Sequence, residues 1–130
     1  MDIVTKRKLN ILILLAQADK HFAKIERDLI FKIARDHNFP EEQVTKLIQN
    51  PEPIESLGAL SQEQKLDYLL TSIEMIFIDQ KVQESEVILA RSIAIKLGFN
   101  KKVVDYLVEN FEKKGLEELK MTVFEKYKLT

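Results

Sequence analysis

Cysteine is absent from the 130-residue chain, and glycine and proline occur only three times each. Without cysteine there is no disulfide, no thiolate zinc site and no thiol nucleophile, a composition that suits a reducing compartment. The glycines stand alone at Gly58, Gly98 and Gly115, so no glycine-rich loop exists to cradle a phosphate. Histidine occurs twice, at His21 and His37, and no serine sits in a nucleophile-elbow context. A hydrolytic triad therefore has no support, and the expectation is a protein that is not an enzyme. Charge of one sign is also lacking: 20 lysines and arginines face 21 acids, for a net charge of -1. Nucleic-acid binding normally leaves a basic excess, so no nucleic-acid partner is expected.

Long apolar runs are missing too. None approaches the roughly 20 residues that a membrane-spanning helix needs. Lys6-Arg7-Lys8, the run Ile11 to Ala16 and the small residues of Ala16-Gln17-Ala18 imitate an export signal, but the run is only six residues long. A signal core needs about seven or more. The segment also has a counterpart at Leu69 to Ile78 that export would not explain, so the expected location is cytoplasmic.

That counterpart belongs to a repeat. Sliding the chain by sixty residues sets Leu9, Ile13, Asp19, Glu26, Leu29, Ile33, Ala34, Phe39, Val44, Leu47 and Asn50 on identical residues from Leu69 to Asn110, 11 matches over 42 gapless pairs. Ordinary composition would give about three. The pattern reads as an internal duplication in one domain over residues 1–130, with repeat one at about 2–60 and repeat two at about 61–130. A chain of this length buries roughly two-thirds of its unfolded surface and needs no staple.

The periodicity within each copy is helical. Leu9, Leu12, Ile13 and Ala16 recur at three- and four-residue spacing while Ile11, Leu14 and Leu15 fill the other faces, the mark of a central helix. Leu66, Leu69, Leu70, Ile73, Ile76 and Phe77 repeat it. A one-faced helix follows, expected to bury Ile25, Leu29, Ile33 and Ala34 and to turn Lys24, Arg27, Asp28, Lys32 and Arg35 outward. Pro40-Glu41-Glu42 suits the first turn of a third helix, whose apolar side is Val44, Leu47 and Ile48. Ser61 with Gln64 spells a capping box, Gly98 a left-handed stop and Asn100 an N-cap. Ile54 to Leu60 is expected as a short helix or turn, and Leu116, Leu119, Val123 and Phe124 as the inner stripe of a last helix. The aromatic residues, among them Tyr68, Phe99 and Phe124, fall on or beside apolar stripes and are expected in the core.

The candidates for chemistry are the acids at the helix junctions, Asp19 with Glu26 and Asp79 with Glu86, each pair seven residues apart. Four carboxylates from two copies would suit magnesium, calcium or manganese. The same acids would equally serve to accept backbone hydrogen bonds in the turns and to favour helix starts. An EF-hand is excluded, because the position of its bidentate glutamate falls on Ile30 or Ala90.

Ala18-Asp19-Lys20-His21-Phe22 with Glu26, and Ile78-Asp79-Gln80-Lys81-Val82 with Glu86, resemble the repeated signature of the tellurite-resistance protein B (TerB)-like family. That signature is an apolar helix, Ala-Asp-Gly, an apolar residue and a later glutamate. Ile33-Ala34, Ile93-Ala94 and Leu97-Gly98-Phe99 are similar to its continuation. The chain departs from it at the signature glycine, which is Lys20 in one copy and Gln80 in the other. The resemblance implies an all-α, TerB-like multihelical domain of two three-helix repeats about a pseudo-twofold, with two central apolar helices. It also implies a non-enzymatic, stress-associated binding or scaffold module with a metal site at Asp19, Glu26, Asp79 and Glu86 for a divalent cation. The alternative is a purely structural protein–protein interaction domain with no metal. Neither reading identifies a protein partner or an oligomeric state.

Overall fold

The structure, a computed structural model, describes residues 2–18, 22–54 and 57–128. These residues form seven helices: α1 (Ile3–Ala16), α2 (Lys24–Asp36), α3 (Glu41–Gln49), α4 (Gln62–Phe77), α5 (Glu84–Lys96), α6 (Lys102–Asn110) and α7 (Leu116–Lys126). Beyond them, the only extended pairing among the described residues is an isolated bridge between Phe99 and Lys128. The domain is all-α, and none of its described helices is long and apolar enough to cross a membrane.

Helices α1 and α4 start at side-chain caps. The Val4 amide donates to Asp2 Oδ1 at 2.9 Å and the Thr5 hydroxyl to Asp2 Oδ2 at 2.7 Å; the Thr5 bond holds the Asp2 carboxyl below its usual pKa. The capping box of α4 forms as its residues spell it, with Gln64 N donating to Ser61 Oγ at 3.1 Å and Ser61 N to Gln64 Oε1 at 2.9 Å. More than half of each helix is buried. They pack on each other, α1 also against α2, α3 and α5, and α4 against α5 and α6. Leu9, Ile13, Leu69 and Ile73 are fully enclosed at the centre, each side chain contributing about 1.5–3 kcal/mol of burial. Two polar groups join the helices: the Tyr68 hydroxyl donates to the Val4 carbonyl, and Lys8 Nζ meets Asp67 Oδ2 at 2.7 Å. Burial pushes the Tyr68 phenol up to about 12.

Helices α2 and α5 stop alike. Phe39 N donates to Ala34 O at 2.8 Å, and Phe99 N to Ala94 O at 2.9 Å, the outer bond of a Schellman cap. The residue before each phenylalanine is left-handed: Asn38 at φ 56° and Gly98 at φ 90°. Asn100 then caps α6, its Oδ1 accepting from Lys102 N at 2.9 Å. Helix α7 packs on α6 and its end returns to the same junction, where Asn100 N donates to Tyr127 O at 2.7 Å.

Two expectations need correcting. Ile25 is 47% exposed, and Glu26 takes the inward place beside it, at 2%. Only Leu119 and Val123 of the α7 stripe are buried; Leu116 and Phe124 face outward at 53% and 36%, so Phe124 is not a core aromatic. Of the short helix or turn expected over Ile54 to Leu60, the described residues take the turn. Leu60 N closes a turn on Leu57 O at 3.3 Å, and Leu57 and Leu60 are buried. The preceding strap is fixed by Asn10, which donates to Glu52 O and accepts from Glu52 N, both at 2.8 Å.

Candidate functional site

The acid-bearing elbows lie where α1 gives way to α2 and α4 to α5. Asp19, with Lys20 and His21, lies outside the described residues. Glu26 is the third residue of α2, and its Oε1 accepts the Ala23 amide at 3.0 Å. This bond satisfies a donor that the helix start would otherwise leave open, and the positive end of the helix dipole favours the charge. Burying a carboxylate is costly unless such partners compensate it. Glu86 holds the same third position in α5 and is also buried, at 1%.

Asp79 is half-buried in the second elbow. Its Oδ1 accepts the Lys81 amide at 3.0 Å, an Asx turn around Gln80, whose φ of 64° is left-handed. His37 closes α2 as an exposed C-cap residue. Among the described residues no three of the Asp, Glu and His side chains come together into a group able to hold a metal ion. Glu26, Asp79 and Glu86 thus do not close such a group by themselves, and Asp19 is the expected ligand on which the structure does not bear.

A second feature escaped the sequence reading. A groove of about 750 Å³ runs between α4 and α7, with Leu66, Leu70 and Phe111 among its apolar lining. Phe111 is held by a stacked Phe77, centroids 5.4 Å apart with the rings 9° from parallel. Glu63, Asp67 and Glu74 line it from α4 and Glu117 from α7, with Lys120 the one lysine or arginine in the lining among the described residues. The signal for it was present: acids at positions 63, 67 and 74 share one face of a helix.

The chain matches no protein-family model, no curated protein and no solved structure.

Proposed function

We propose that the chain is a TerB-like, non-enzymatic binding or scaffold module of the stress-associated kind, made by duplication of a three-helix unit about a pseudo-twofold with α1 and α4 central. The observation that carries this reading is the recurrence of uncommon details at a sixty-residue offset. Glu26 and Glu86 are both buried at the third position of a helix, and Asn38 and Gly98 both stop a helix in the left-handed region with the same pair of backbone bonds. Generic amphipathic helices have no reason to share a buried carboxylate. The left-handed Gln80 also stands where the family signature has glycine, the residue that tolerates such a backbone best.

The elbow acids Asp19, Glu26, Asp79 and Glu86 are then the ligands for a divalent cation. The competing reading, a protein-interaction domain with no metal, is supported by the backbone bonds that Glu26 and Asp79 accept. Titrating calcium, magnesium, manganese and zinc against the melting temperature separates the two. At one hundred times Kd a specific ion stabilises by about 2.7 kcal/mol, roughly 10 °C for a chain of this size. The cation reading expects that shift, and expects Asp19→Asn and Asp79→Asn to abolish it. No shift at millimolar metal leaves the acids as pins of the elbows and the interaction domain as the function.

A further inference from the structure

We infer that the groove between α4 and α7 is the docking site for an amphipathic helix of a partner protein, one with an apolar face edged by lysine or arginine. The inference rests on the binding-module reading and gives its partner a chemistry. Three observations define the occupant. The groove is apolar at its floor, and its α7 side exposes large apolar groups, Met121 at 60% and Leu116 at 53%, so folding alone leaves this surface wet. From Glu63 to Glu74 the acids along α4 cover about 16 Å of helix rise, or roughly three turns, which is the reach of a docked helix rather than of a small molecule. The lining carries four acids against Lys120. Asp67 is already matched by Lys8 and Glu117 by Lys120 at 3.9 Å, while Glu63 and Glu74 have no ion pair among the described residues.

The charge selects among occupants. A second copy facing this groove across a twofold would set the acids of one protomer against those of the other, and an anionic membrane surface would be repelled likewise. A basic-edged helix gains attraction along the same line.

Fluorescence anisotropy on the full chain tests this with two labelled peptides of about twelve residues, identical along a leucine face and differing only in flanking lysines or flanking glutamates. The lysine peptide is expected to bind, to weaken with added salt, and to lose about tenfold in affinity to the Glu63→Lys/Glu74→Lys protein, which in turn gains for the glutamate peptide. Met121→Asp, at an exposed position, is expected to remove binding of both. Equal binding of the two peptides, or binding of the lysine peptide unchanged in the charge-reversed protein, overturns the proposal. So does self-association that Met121→Asp abolishes, since the occupant is then a second copy. Failure of the peptide with the metal-induced melting shift intact would sink the groove and leave the cation reading standing; the opposite pair of results would do the reverse.

Discussion

Gly98→Ala isolates the energetic cost of one backbone angle. Gly98 has φ +90°, and a Cβ added there meets nothing within 4 Å. The substitution therefore brings no clash, and its cost is that of an L-residue held in the left-handed region, about 1–2 kcal/mol. Stiffening of the unfolded chain by the new side chain returns part of this, roughly 0.4–1 kcal/mol, leaving a net loss of about 1 kcal/mol. Unfolding entropy of about 2.1 cal/mol/K per residue makes that a drop of about 4 °C in melting temperature. The assay is thermal and urea unfolding followed by circular dichroism, with Gly98→Asn as the control. Asparagine stands at the matching place in the first half, at Asn38 with φ 56°, and enters this region more readily than alanine. Its loss is expected to be less than half that of alanine. Alanine at no cost, or asparagine at the same cost, would rule out the left-handed angle as the source of the loss, and so would a loss above about 3 kcal/mol, which requires a collision that the open space excludes.

Ser61→Ala removes the acceptor of the Gln64 amide and is expected to cost about 1 kcal/mol, read as a lower urea midpoint with an unchanged slope. Tyr68, raised to about 12 by burial, is expected to ionise well above the ordinary tyrosine range in an ultraviolet titration. Its unfolded form loses its proton near pH 10, so the stability this group contributes is full below pH 10 and falls as pH rises from there to about 12. Tyr68→Phe is expected to flatten that fall, and an equal slope in both proteins would contradict it.

Helix boundaries were legible because their signals are local. The Ser61–Gln64 box, the Gly98 stop and the Asn100 cap each act within a few residues, so reading the residues reads the bond. The centre of α1 was legible for a related reason: the segment Leu9 to Ala16, apolar nearly all round, leaves little orientation to get wrong. The inner face of α2 was not. Hydropathy ranks Ile25 as the inward residue, yet Glu26 is inside because its carboxylate closes the start of its own helix on Ala23. The stripe of α7 misled in the same way, since an apolar side chain is the same letter whether it meets the core, as Leu119 does, or a groove, as Leu116 does.

By itself the sequence determined the all-helical class, the ends of most helices and the acids at the elbows, because periodicity, capping and charge are properties of neighbouring residues. The tertiary structure alone decided that Asn10 would hold the strap at Glu52, that Glu26 would turn inward, and that an acid row on α4 would face exposed apolar groups on α7. These depend on which surfaces meet across long stretches of chain, and packing fixes that only when every helix is in place.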